Sequence, residues 1–276
     1  MTGAIPPRLS LIIAVYNRPD ALRLVLAACA RQSFRDFEIV IADDGSGPAI
    51  GQEIERARRR FALPLIHAWH EDRGWRKNAA LNNAIRASNG EQLVFIDGDC
   101  LPSGEFLTDH NAEREQGAVL LGRRVEMSAR WSGALTEAMV EQGAFERYSW
   151  RELLDGLRGD ALRLEDGIRI RSQLLRGLLL RRVHTMLGSN FSVMKSDLVA
   201  VNGFDELYEG PGCGEDSDLF YRLTVAGVRA KSLRNLGILY HLHHPLTRVS
   251  TTSLERYEQV QRSGKARCQR GLEQSS

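Results

Sequence analysis

Four cysteines in 276 residues, none of them in a C-x-x-C pair, leave no framework for a disulfide-stapled fold or a zinc ribbon. Cys29, Cys100, Cys213 and Cys268 fall in unrelated contexts, which points to a reduced, cytoplasmic protein. Long apolar runs are missing as well. LSLIIAV near the amino terminus has the length of a strand and stops at a polar turn, so neither a signal peptide nor a membrane span is expected. Charge of one sign is also scarce: the formal net charge is +2 with 26% charged residues, too even a balance to argue for a nucleic-acid partner. What remains, 43% hydrophobic residues, is the composition of a globular protein, at a length that one large domain with an insertion fills.

Through the first hundred residues short β-branched runs alternate with helix-like segments: Leu9–Val15, Ala21–Arg31, Glu38–Ala42, Ile50–Phe61, Leu63–Ala68, Lys77–Ser88 and Gln92–Ile96. This rhythm predicts an α/β fold, a Rossmann-like and mostly parallel central sheet with helices on both faces. It stops at residue 128. Residues 128–183, rich in Leu and Arg and without strand alternation, predict a helical insertion; regular structure resumes over 184–254, and the polar segment 255–276 is expected to fray or form a loosely held helix.

In such sheets ligands gather beyond the carboxyl ends of the strands. Those ends carry Val15-Tyr16-Asn17, Asp43-Asp44-Gly45-Ser46 and Asp97-Gly98-Asp99. Two carboxylates around a glycine turn can reach one divalent cation and the sugar of a nucleotide, although a lone D-x-D also arises by chance. Asp44 could accept a hydrogen bond from a base N–H such as that of uracil; the plainer reading is a turn and a cap for the helix at Ile50. Arg73, Arg76 and Lys77 at a helix start suit a diphosphate or merely face solvent. Glu215 and Asp216 open another helix, where a carboxylate can cap the first turn or take a proton from a substrate hydroxyl. The stretch YHLHHP sets His241, His243 and His244 after a strand; one of them, with Asp99, could complete a Mn²⁺ site.

Taken in order, AVYNRPDAL, QSFRDFEIVIADDGSG, NAALNNAIRASNGEQLVFIDGDCLP, GSNFSVMKSDLVAVNGFDE, GCGEDSDLFYRL and YHLHHP resemble the family-2 inverting glycosyltransferases of GT-A fold, with a carboxyl half similar to galactosyltransferases and chondroitin polymerases. The resemblance implies a nucleotide-sugar-binding half (1–127) and an acceptor-binding, catalytic half (184–254). Tyr16, Asn17 and Asp44 would line a uracil pocket, with Val15, Gly98, Arg73 and Lys77 nearby; Asp97 would face the ribose, and Asp99 and His241 the metal, Mn²⁺ or Mg²⁺. Glu215 would hold the acceptor and Asp216 act as general base. The partners implied are a UDP-sugar donor and a glycan or lipid-linked acceptor. Leu162–Arg182 reads as an amphipathic helix over the acceptor cleft, or as a surface that binds anionic lipid through Arg169, Arg171 and Arg176. A sugar-nucleotide nucleotidyltransferase, or a non-catalytic nucleotide-binding or membrane scaffold, remains the alternative.

Overall fold

A computed structural model describes residues 7–179, 185–208, 210, 215–245 and 251–273. It opens with the alternation just read: β1 (Leu9–Val15), α1 (Pro19–Ala30), β2 (Phe37–Asp43), α2 (Pro48–Phe61), β3 (Leu65–Trp69), α3 (Lys77–Ala87) and β4 (Gln92–Asp97). Proline begins α1 and α2, where its missing N–H costs nothing and its fixed φ suits the first turn. Along the strands the side chains alternate between two cores. Leu11, Ile13, Ile39, Ile41 and Ile96 pack with α1 and α2, whereas Ile12, Val40, Leu93 and Phe95 pack with α3. Each such side chain, fully removed from water, contributes about 1.5–3 kcal/mol. That is why a run as apolar as LVFI can end abruptly in carboxylates: its body lies between two layers, and only its end emerges.

Beyond β4 come β5 (Cys100–Pro102), α4 (Phe106–Glu113), β6 (Ala118–Leu121) and β7 (Arg124–Glu126). Then come α5 (Ala129–Ala134), α6 (Glu137–Glu141), α7 (Trp150–Arg158) and α8 (Gln173–Leu179). Ser128, Thr136 and Ser149 cap α5, α6 and α7 with their side-chain oxygens. The chain returns through β8 (Phe191–Met194), α9 (Lys195–Ala200), α10 (Glu215–Val225), β9 (Arg229–Ser232), β10 (Leu239–His241) and α11 (Thr251–Ser263). Seven strands form the main sheet in the order β3-β2-β1-β4-β8-β6-β9, in which β8 runs antiparallel to both of its neighbours. Phe191 on β8 stacks on its cross-strand partner Phe95, ring centroids 4.5 Å apart. A second, small sheet, β5-β10-β7, begins immediately past the end of β4.

Two expectations are corrected. Leu162–Arg182 is not one helix: Leu162 bridges to Glu126, residues 164–167 form a 3-10 turn, and the side chain of Asn235 binds the carbonyls of Glu165 and Ile168. Only Gln173–Leu179 is helical there, and 180–182 lie outside the described residues. Over the described residues, to 273, the tail is neither frayed nor loosely held. Arg256 on α11 pairs with buried Asp205, and Asn202 binds the backbone of Cys268 and Glu273. Arg86 of α3 donates to the carbonyls of Gly271 and Leu272.

Candidate active site

The site is built on the turn that ends β4. The Gly98 N–H donates to the Ala14 carbonyl at 2.7 Å, and a Cβ on Gly98 would stand 2.8 Å from that oxygen, so no larger residue lets the turn lie this close to β1. Asp97 and Asp99 leave the turn on either side of it. Asp97 accepts from Lys77 Nζ at 2.9 Å, with Arg124 at 3.8 Å.

Asp99 meets the end of β10. Register sets His241 opposite Cys100 on one side and Glu126 on the other. The Nε2 atoms of His241 and His244 each lie 3.5 Å from an Asp99 oxygen and 3.2 Å from each other. His241 Nδ1 is held by Glu126 at 2.5 Å, and Glu126 is held in turn by Arg124 at 2.8 Å. Arg18 reaches Asp99 at 2.5 Å. Burial lowers the basicity of His241, but its hydrogen bonds to Asp99 and Glu126 outweigh this and push it up to about 9. Burial raises Glu126, yet His241 and Arg124 hold it down at about 2. The cluster therefore draws positive charge to Asp99 from several directions.

Asp99, His241 and His244 offer ligand atoms within 4.8 Å of one another, an oxygen and two imidazole nitrogens of the kind Mn²⁺ accepts. Asp97, Asp99 and Cys100 are equally close, but burial and the neighbouring Asp99 push the Cys100 thiol well up, and a soft sulfur suits Mn²⁺ or Mg²⁺ less than oxygen and imidazole do. The donor set thus fits a divalent cation. His244 enters it where alternation along the strand favours His243: β10 ends at His241, the chain turns, and the His243 N–H donates to Ser132 while its side chain is exposed.

A cavity of about 1060 Å³ opens on this cluster, lined on the β1–β2 side by Val15, Tyr16 and Asp44 and at its floor by Lys77, Asp97, Gly98 and Asp99. Asp44 accepts from His70 Nε2 at 2.8 Å and from the Arg76 N–H at 2.9 Å, so it ties down the approach to α3 rather than the start of α2. Asn17 stands outside the lining. It has φ +49°, and its Oδ1 accepts the Gly47 N–H, fixing the turn after β2. Arg73 is also outside, on an exposed loop and paired with Glu71; the cation at the start of α3 that faces the cavity is Lys77. Asp216 lines an adjoining pocket of about 180 Å³ whose wall, Lys77, Asp97 and Arg124, is shared with the cavity. Its carboxylate accepts the N–H groups of Gly188 and Ser217. Glu215 opens α10, but its side chain, like most of the glycine-rich loop before it, lies outside the described residues.

Arg18, Arg124 and Glu126 were not legible as site residues, and His244 was legible only as one of three candidate histidines. For Arg124 and Glu126 the available signal was R-V-E, a charged pair two apart on one face of a strand, in a strand too short to show a period.

Residues 10–175 match the Glycosyl transferase family 2 and residues 180–245 the N-terminal domain of galactosyltransferase. Validoxylamine A glucosyltransferase of Streptomyces hygroscopicus subsp. jinggangensis is 30% identical over 231 residues, 80% of this chain and 52% of that one. Chondroitin synthase of Escherichia coli is 24% identical over 254 residues, 86% of this chain and 35% of that one. The chain thus spans about half or less of the curated relatives it matches. Among solved structures, S. aureus TarS 1–349 in complex with UDP superposes with a TM-score of 0.62 at 18% identity, over 93% of this chain and 65% of that one. GalNAc-T7 with UDP, GalNAc and Mn²⁺ gives 0.62 at 14% identity, over 92% and 47%. The architecture is that of the GT-A glycosyltransferases, and with more than half of its length matched the chain belongs to glycosyl transferase family 2.

Proposed function

We propose that this chain transfers a hexosyl or N-acetylhexosaminyl group from a UDP-sugar to an acceptor hydroxyl, with inversion at the anomeric carbon, in the synthesis of a glycan or polysaccharide. The observation that carries the reading is the convergence of Asp99, His241 and His244 in the lining of the cavity, one shared wall away from Asp216. A divalent cation held by those three would supply positive charge against the leaving diphosphate. Glu126, by accepting the Nδ1 proton of His241, leaves Nε2 facing Asp99. Lys77 and Arg124 keep positive charge on the wall between the two pockets. On the far side Asp216, oriented by two backbone N–H groups, takes the proton of the attacking hydroxyl. Inversion requires base and leaving group on opposite sides of the transferred carbon, and what supports it is that Asp216 and the metal ligands line separate pockets that share a wall. The UDP bound to TarS, and the UDP and Mn²⁺ bound to GalNAc-T7, support the choice of donor and metal.

The test is a panel of UDP- and GDP-sugars with Mn²⁺, read as nucleoside diphosphate release, together with calorimetry of UDP binding. UDP-linked donors are expected to turn over. Asp216→Asn should lower transfer by about 10²–10⁴-fold while UDP binding stays within about twofold. UDP binding without release from any donor would leave a nucleotide-binding scaffold instead.

A further inference from the structure

Helix α7, WRELLDGLR, is inside out. A surface helix ordinarily turns its apolar stripe to the core and its charges to water. Here the two buried residues are acids: Glu152 is 9% exposed and closes the capping box with Ser149, and Asp155 is 4% exposed and accepts from Ser128 and Arg130. The outward stripe is Trp150, Leu153 and Leu157, spaced i, i+3 and i+7, at 69, 51 and 86% exposure. Single exposed leucines need no explanation, but these are not scattered. Among the described residues, eight of the fifteen exposed large hydrophobic side chains fall between Trp150 and Leu178, Leu174 and Leu178 of α8 among them.

The exposed charge of α7 itself is of one sign: Arg151 and Arg158, with Arg147 just before the helix, are exposed, Arg151 lies over the Trp150 ring at 5.4 Å, and both acids of the helix are buried. The nearest exposed acids come after the helix, Asp160 at the cavity wall and Glu165 paired with Arg234. Two of the arginines that the sequence offered for lipid contact further on are committed elsewhere, Arg169 to Asp109 and Arg176 to Glu113. Arginines that snorkel, a tryptophan able to sit at the headgroup level and leucines that insert are the pattern of a surface lying on anionic lipid. A second copy fits poorly, because a two-fold contact through this face would bring the same three arginines against themselves. The end of α7 also leads directly into the cavity wall, at Gly159, Leu162 and Arg163. We infer that the outward face of α7 docks on an anionic bilayer surface, which sets the mouth of the cavity beside the headgroups.

Vesicle binding reads this without donor, acceptor or metal, so its outcome is independent of the transfer chemistry. The full chain is co-sedimented with vesicles of phosphatidylcholine alone and of phosphatidylcholine mixed with phosphatidylglycerol. Binding is expected only to the mixed vesicles and to weaken with salt. Trp150→Ala/Leu153→Gln/Leu157→Gln, whose changes all face water, should keep the thermal unfolding midpoint and bind at least about 100-fold more weakly. Arg151→Glu/Arg158→Glu leaves the apolar stripe whole and should lose the preference for anionic vesicles. Leu254→Gln, on the exposed face of α11, should bind as the parent does. The inference is overturned if the parent ignores anionic vesicles or if the triple variant binds them equally well. It is also overturned if the stripe proves to hold a dimer or a soluble acidic protein that the triple variant releases while vesicle binding is unchanged.

Discussion

Three histidines within four residues take three different parts, and the backbone decides which. His241 is the last residue of β10 and is fixed from both sides by the small sheet; His243 is exposed and lines the cavity outside the group of converging ligand atoms; His244 comes back against His241 with its ring edge-on at 4.9 Å. Removing a coordinating nitrogen should weaken Mn²⁺ binding far more than removing the exposed ring. In Mn²⁺ titrations in the presence of UDP, followed by the spin-resonance signal of the free ion, His241→Ala and His244→Ala are each expected to lose at least about 10-fold in affinity and His243→Ala less than about twofold. Glu126→Gln, which removes the charge that orients His241, should weaken binding by about 10–100-fold, as the loss of an outer-shell partner typically does. Equal losses in His243→Ala and His244→Ala would contradict the assignment of His244.

At the scale of elements, what holds the carboxyl-terminal segment is backbone-directed hydrogen bonding rather than an apolar stripe. Gly271 makes the point: a Cβ there would stand 1.9 Å from the Asn202 carbonyl oxygen, an atom fixed by the turn after α9. Gly271→Ala should therefore push the segment off and cost about 1–3 kcal/mol in urea unfolding. Gly51→Ala, inside α2 with nothing within 4 Å of the new methyl, should stabilise by about 0.5–1 kcal/mol in the same assay. The contrast also explains which elements the sequence disclosed. β1 through β4 and α1 through α3 were legible because strands buried on both faces and helices between them leave a period that survives in the letters. The strands of the small sheet are three residues long and leave none, so Arg124 and Glu126 on β7, which meet Asp97 and His241, were hidden. The tail reads as polar because Asn202 and Arg86 hold main chain, not side chains. In α7 the pattern was present and its usual meaning was reversed.

Across the whole molecule, arginine–carboxylate pairs stitch the insertion to the sheet body: Arg56 to Glu137, Arg31 to Glu146, Arg169 to Asp109 and Arg234 to Asp166. Stability in mild acid rests on a different group. His110 of α4 is fully buried, packed on Phe106 and bound through Nδ1 to Ser192 on β8, so it couples a helix to the centre of the main sheet. Burial pushes its pKa down from 6.5 to about 3. Between those values the unfolded chain takes up a proton that the folded chain refuses. The stability this neutral ring lends is therefore complete above about pH 6.5 and is lost as pH falls toward 3, at about 1.4 kcal/mol per pH unit. From pH 6.5 to pH 5 the expected loss is about 2 kcal/mol, in a range where most carboxylates are still ionised in both states. His110→Gln should be less stable than the parent at pH 6.5, since it must repack the same pocket, yet its stability should decline less over that interval. Because His241 and the other histidines titrate alike in both proteins, their contributions cancel in the difference. Urea midpoints at the two pH values provide the measurement, and parallel declines in parent and variant would mean that His110 accepts its proton inside the fold.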